Sequence, residues 1–237
     1  MANPILTTAV TETVAEDGSV VLSIAASPAL ADGSEYITVS VTGIPEGWLA
    51  SGTGTFTPAS GGGTGTWSIT LAPGAALDAG PSLTPPADSD ADVAQLTVTA
   101  RSYTTLTGAL AGTRIRSVEI ITDAAADAPI VTAGDVNGLE ETAIALDLSA
   151  AVADADGSES LTAIEIHGVP AGFAIQGASD VGGGTWLALP AAIASLALLP
   201  PVDFYGSVTL SFEAVASETT LSGDEPSTSN NSASTLA

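Results

Sequence analysis

The sequence predicts an all-β chain, with two tandem antiparallel β-sandwich units joined by a short linker. Three observations carry that expectation. Aliphatic and hydroxyl residues alternate over short runs punctuated by Gly, Pro and Asp. One ordered series of motifs occurs twice. Acidic residues gather in the turns between the runs, with 27 Asp+Glu against 3 Lys+Arg in 237 residues.

The repeat comes first because it defines the units. Ala31-Asp32-Gly33-Ser34-Glu35 precedes the alternating run 36–42 and then Gly43-Ile44-Pro45-Glu46-Gly47-Trp48. Its counterpart is Ala155-Asp156-Gly157-Ser158-Glu159, the run 161–166 and Gly168-Val169-Pro170-Ala171-Gly172-Phe173. A Gly-rich turn then leads into Thr66-Trp67-Ser68-Ile69, matched by Thr185-Trp186-Leu187-Ala188. Leu83-Thr84-Pro85-Pro86-Ala87-Asp88 is matched by Leu198-Leu199-Pro200-Pro201-Val202-Asp203, and the runs 95–101 and 208–215 follow. Units of ~120 residues suit sandwiches of seven or so strands. The expected units are 1–126 and 127–237, meeting at Asp123-Ala124-Ala125-Ala126-Asp127-Ala128-Pro129, whose proline favours an extended entry into the second. The second unit is expected to lack part of its last strand, as in a piece of a longer array. The stretch 191–199 is expected to be a loop leading into a strand.

Hydrophobic residues make up 45% of the chain but aromatics only 4%, a composition for thin cores of Ala, Val, Leu and Ile. No apolar run is long enough to cross a membrane as a helix, so direct membrane insertion is not expected. The opening Met1-Ala2-Asn3-Pro4 has neither a basic nor an apolar stretch, and no secretory signal peptide is expected there. A net charge of −24 disfavours nucleic acid and anionic membranes as partners. With no cysteine, neither disulfides nor thiolate metal sites can staple the fold.

The acids therefore need another source of positive charge, and a hard divalent cation supplies it. If the strands run back and forth between two poles, one strand over 7–14 brings Glu16 and Asp17 to the C-terminal pole of unit 1. Asp88, Asp90 and Asp92 return to that pole, and the last strand exits there into Asp123 and Asp127. Unit 2 presents Asp154, Asp156 and Glu159 at its own N-terminal pole. These carboxylates supply enough oxygens for one to three Ca²⁺ ions, and an interdomain calcium site is the expectation. Asp32 and Glu35 form the equivalent set at the N-terminal pole of unit 1, with weaker binding expected in the absence of an upstream unit. Glu140 and Glu141 occupy the place of Glu16 and Asp17 in unit 2.

The ordered set of Glu16-Asp17-Gly18, the two Asp-Gly-Ser-Glu turns, the Gly-x-Pro-x-Gly turns, the Pro-Pro-x-Asp segments and the Asp127-Ala128-Pro129 linker resembles a known group. It is similar to the Ig-like, cadherin-like extender repeats of very large bacterial RTX adhesins exported by type I systems. That resemblance implies a non-enzymatic, Ca²⁺-dependent spacer on the bacterial cell surface, serving adhesion or biofilm formation. Its partners would be neighbouring repeats of the same chain, and its state a monomer. Unit 2 departs from the pattern at Asp203-Phe204-Tyr205-Gly206, where the further acids of unit 1 are missing.

Other constellations carry less. Asp88-x-Asp90-x-Asp92 is followed by Val93 where an EF-hand needs Gly. His167, the single histidine, is expected at a strand end without a catalytic role. The Gly-rich tracts 60–66 and 182–185 precede strands and are expected to be hairpin turns rather than phosphate cradles. Trp67 and Trp186 are expected in the cores, and burial is also expected for Trp48 and Tyr36. Arg101, Arg114 and Arg116 are expected to pair across strands with acids. Two rival functions stay open: a glycan- or peptide-binding module using the region between Tyr103 and Arg114, and an ancillary module of a secreted hydrolase.

Overall fold

The computed structural model describes residues 3–153, 157–218 and 232–236; for 232–236 and Ala94 only the backbone is described. The chain is all-β and divides between Ala124 and Ala125 into two compact units. Among the described residues no helix is long and apolar enough to cross a membrane.

Unit 1 carries β1 (Ile5–Thr8), β2 (Thr11–Ala15), β3 (Val20–Val21), β4 (Ile24–Ser27), β5 (Glu35–Ile44), β6 (Leu49–Ser51), β7 (Thr55–Thr57), β8 (Gly65–Thr70), β9 (Ser82–Thr84), β10 (Val93–Thr104) and β11 (Leu110–Asp123). The main sheet has the order β2-β11-β10-β5-β8-β7, and two small sheets, β3-β9-β6 and β1-β4, accompany it. Strict alternation along β5 turns Glu35, Ile37, Val39 and Val41 inward. That inward row meets Leu6, Ile24 and Leu83 from the small sheets and Leu22 from the link between β3 and β4, so the core lies between two β layers. Trp67, the largest of its fully buried side chains, is 1% exposed. Gly54 lets the chain pass close over it, since a Cβ there would fall 2.7 Å from the indole Nε1.

The expected single strand over 7–14 is instead two strands. β1 pairs antiparallel with β4, and after Ala9 and Val10 the chain crosses to pair β2 in parallel with β11. Neither Ala9 nor Val10 is a Gly or Pro that would mark the crossing. The switch is therefore a tertiary choice that local pattern does not encode.

Unit 2 carries β12 (Ile130–Gly134), β13 (Ile144–Ala145), β14 (Asp147–Ala151), β15 (Glu159–His167), β16 (Ala174–Gln176), β17 (Ser179–Gly182), β18 (Thr185–Ala188), β19 (Ala197–Leu199), β20 (Ser211–Glu218) and β21 (Ser232–Leu236). Its sheets, β17-β18-β15-β20-β21, β13-β19-β16 and β12-β14, repeat the strand orders of unit 1, with β2 the one strand lacking a counterpart. Ile164, Ile166, Ile175, Leu196, Phe212 and Ala214 form its core. Part of the stretch expected to be loop, Pro190–Ser195, coils into a 3-10 helical segment before β19. Trp186 is only half-buried where its counterpart Trp67 is enclosed, and Tyr36 is likewise half-buried.

Candidate metal centre

In unit 1 the Ala15-Glu16-Asp17-Gly18 turn closes with the Gly18 N–H donating to the Ala15 carbonyl at 3.0 Å. Asp17 adopts a left-handed φ of 57° there, a conformation that Asp tolerates better than most residues. Asp88 does the same in its own turn, with φ 55°. The two turns meet: the Asp88 N–H donates to Asp17 Oδ1 at 3.2 Å, and their carboxylates lie within 4.8 Å of one another. The Glu16 N–H donates to the carbonyl of Asp123 at 3.0 Å, because β2 and β11 run parallel into this end. Asp92 is tied in by the Thr122 N–H, which donates to its Oδ1 at 2.8 Å. Glu16 and Asp90 are buried here, while Asp17 is exposed. Residues far apart in sequence thus share one end of unit 1, and all the side-chain donors are hard oxygens.

At the start of β5, Glu35 is 5% exposed and its Oε2 has no hydrogen-bond partner. It ends the inward row of that strand opposite Thr104 of β10. Nearby in sequence, Asp32 accepts hydrogen bonds from the Ser34 hydroxyl and the Ser34 N–H, which hold its carboxyl below the usual carboxylate range.

In unit 2, Glu159 is 7% exposed, and its Oε1 accepts the Asp127 N–H at 2.9 Å. Directly opposite on β20 stands Glu218, which is fully buried, with the Ser158 hydroxyl donating to its Oε1 at 2.6 Å. Asp154 and Asp156 lie outside the described residues. Glu218 was not anticipated from sequence. The signal was present: Phe212, Ala214 and Ala216 face inward along β20, and Glu218 is the next position in that row.

Unit 2 keeps part of the turn geometry of unit 1. Glu141 and Asp203 take left-handed φ of 58° each, at the positions matching Asp17 and Asp88.

Buried carboxylates are costly unless they are compensated. The three arginines do not compensate them. Arg101, Arg114 and Arg116 are exposed, and they face Thr38 and Thr113, Ala100, and Val98 across their strands rather than the expected acids. Among the described residues only His167 lies within ion-pair distance of a carboxylate. An oxygen-rich set with buried, carboxylate-bearing strand ends fits Ca²⁺ in donor type and charge.

No family model and no curated protein matches this chain. Among solved structures it is similar to BcpA, the major pilin subunit of Bacillus cereus, at 11% identity and a TM-score of 0.36. That alignment covers 99% of this chain and 66% of the pilin, just under two thirds of it. A variant of the same pilin aligns at 9% identity and TM-score 0.37, with the same coverage. Escherichia coli alpha-2-macroglobulin activated by porcine elastase aligns at 13% identity and TM-score 0.29, covering 99% of this chain and 21% of that one. Likeness at this level carries no functional argument, so function is argued from the chain's own residues.

Proposed function

We propose that this chain is a calcium-stiffened stalk segment of a bacterial cell-surface adhesin, built from two Ig-like units, with no catalytic role. The observation that carries the reading is the placement of carboxylates at the ends of inward-facing strand rows. Glu35 is the sharpest case, with an orphan oxygen in a water-excluded position. In unit 1, Glu16, Asp17, Asp88, Asp90, Asp92 and Asp123 would hold calcium, with Asp32 and Glu35 as a separate, weaker set. In unit 2, Asp127 and Glu159 would do so, together with Asp154, Asp156 and Glu218. Bound calcium would supply the positive charge that offsets carboxylate repulsion and would restrain the 123–129 linker, into which β11 runs directly. Neighbouring repeats of the same chain are its proposed partners, and the exterior of the cell its location.

Calcium titration by calorimetry tests this, with melting and small-angle scattering in calcium and in chelator, on wild type and Asp127→Ala. Saturable binding, a rise in Tm and a more extended particle in calcium, each weakened by the substitution, are expected. Identical melting and scattering in calcium and chelator would overturn the reading.

A second reading, glycan or peptide binding, is favoured by one feature. Tyr36 and Tyr103 stack at 5.3 Å on adjacent strands, half-buried on the outward side of the main sheet of unit 1. A glycan array that retains wild type and loses Tyr103→Ala would establish it.

A further inference from the structure

We propose that unit 2 carries a transition-metal site of the Zn²⁺ type, separate from the calcium ligands, formed by His167, Glu165 and Glu213 on one face of its main sheet. Glu165 and His167 are two apart on β15 and so share a face, and Glu213 of β20 stands directly opposite Glu165. The sequence from 125 to 237 contains no Lys or Arg, so His167 is the only side chain of this unit able to carry positive charge. Two carboxylates directly opposed across strands repel each other.

The distances are longer than those of ordinary hydrogen bonds and leave room for a cation. His167 Nε2 lies 3.6 Å from Glu165 Oε2 and 3.5 Å from Glu213 Oε2. Both exceed the usual ~2.7–3.2 Å of an N–H···O bond. They lie slightly above the ~3.3–3.4 Å ligand-to-ligand edge of a tetrahedron with metal bonds of ~2.0–2.1 Å, a gap that a small side-chain shift would close. The three ligand atoms all lie within 4.8 Å of one another.

The imidazole itself supplies a second, independent indication. Nε2 is shielded from solvent yet has no hydrogen-bond partner, although the side chain as a whole is 29% exposed. Nδ1 is engaged by the Thr185 hydroxyl of β18 at 3.2 Å. With Nδ1 protonated and donating to Thr185 Oγ1, Nε2 presents its lone pair between the two carboxylates. A hydrogen bond to the far ring nitrogen is how metal-ligating histidines are commonly oriented. Three protein ligands leave a fourth position for water or for a donor from another molecule. Mixed imidazole and carboxylate donors suit Zn²⁺ better than Ca²⁺, which takes oxygen almost exclusively.

Titration of the full chain with Co²⁺, and separately with Zn²⁺, in the presence of saturating Ca²⁺ tests the assignment. One equivalent is expected to bind, with the intense visible absorption of four-coordinate Co²⁺. Imidazole nitrogen shifts in NMR should show metal on Nε2 and a proton on Nδ1. His167→Gln and Glu213→Gln should each abolish the Co²⁺ spectrum, while Glu119→Gln, an exposed acid of unit 1, should leave it unchanged. Thr185→Val should weaken binding roughly 10–100-fold without removing a ligand. Absence of binding above the calcium background would overturn the proposal and leave His167 as a plain ion-pair partner of the two glutamates. Binding that survives His167→Gln would equally overturn it, by placing the metal on ligands other than this histidine. Failure of either kind leaves the calcium reading untouched, because the readout is taken with those sites filled.

Discussion

Glu218→Gln separates charge from shape at the acidic end of unit 2. Glu218 is fully buried on β20 and faces Glu159 of β15 directly. Opposed residues on antiparallel strands hold their Cβ atoms ~4.5–5.5 Å apart. Were both carboxylates charged and about 5 Å apart, they would repel by about 3 kcal/mol at an effective dielectric constant of about 20. No Lys or Arg occurs anywhere in the sequence of this unit to cancel that term. Glutamine keeps the side-chain shape and an oxygen for the Ser158 hydroxyl, which now donates to Glu218 Oε1 at 2.6 Å. In chelator, the variant is therefore expected to be more stable than wild type by about 2–3 kcal/mol.

In calcium the gap should narrow or close. A site filled at one hundred times its Kd contributes about 2.7 kcal/mol through linkage, and the variant forfeits part of that by losing a charged ligand. Differential scanning calorimetry of both proteins in both buffers is the assay. A unit of this size shifts its Tm by roughly 3–6 °C per kcal/mol, so the narrowing is well within reach of the instrument. If Glu218→Gln is less stable than wild type by the same amount in calcium and in chelator, the glutamate is simply a packed polar group, and the charge argument is refuted.

Asp92→Asn keeps an acceptor for the Thr122 N–H while removing charge. Its melting in chelator should match wild type, and calorimetry should show calcium affinity at the end of unit 1 falling roughly tenfold. Trp67→Ala, at a position 1% exposed, should cost unit 1 about 3–5 kcal/mol in urea denaturation. Asp203→Gly relieves a left-handed φ of 58° at a turn that lacks the further acids of its unit 1 counterpart. It should stabilise unit 2 by up to about 1 kcal/mol with no change in calcium stoichiometry, whereas the equivalent Asp88→Gly should lower calcium affinity.

Strand identity was legible where alternation was clean. The row Ile37, Val39, Val41 reads directly as one face of a strand, and the repeated Gly-x-Pro-x-Gly and Pro-Pro-x-Asp landmarks fall at matching places in two units with the same strand orders. The Gly-rich tracts are hairpin turns, joining β7 to β8 and β17 to β18. Two other features were not legible for a shared reason, namely that both depend on partners distant in the chain. The crossing between β1 and β2 is decided by β4 and β11, and no residue at Ala9 or Val10 marks it. The half-exposure of Trp186 against the enclosure of Trp67 is decided by what covers each strand, since the local sequences are nearly the same. In unit 1 the Asp17 and Asp88 turns, which meet in the structure, could be grouped from strand direction. The burial of Glu16, Glu35, Glu159 and Glu218 required the inward register to be carried to the last residue of each row.

That register has an energetic consequence for the proposed stalk. An acid in an exposed turn is solvated whether or not metal is present, so its loss of metal costs little. An acid that closes an inward row has already given up water when the strand forms, so its charge is compensated by the protein, by a cation, or not at all. With three arginines, all exposed and none facing an acid across a strand, the chain offers these acids hydrogen bonds such as those from Ser158 and the Asp127 N–H, but no cross-strand arginine. Under the proposed reading, the strand ends therefore form fully only where calcium is plentiful, and they loosen first where it is scarce. The same carboxylates would make the segment stiff outside the cell and easier to unfold inside it, with no conformational switch beyond the metal concentration itself.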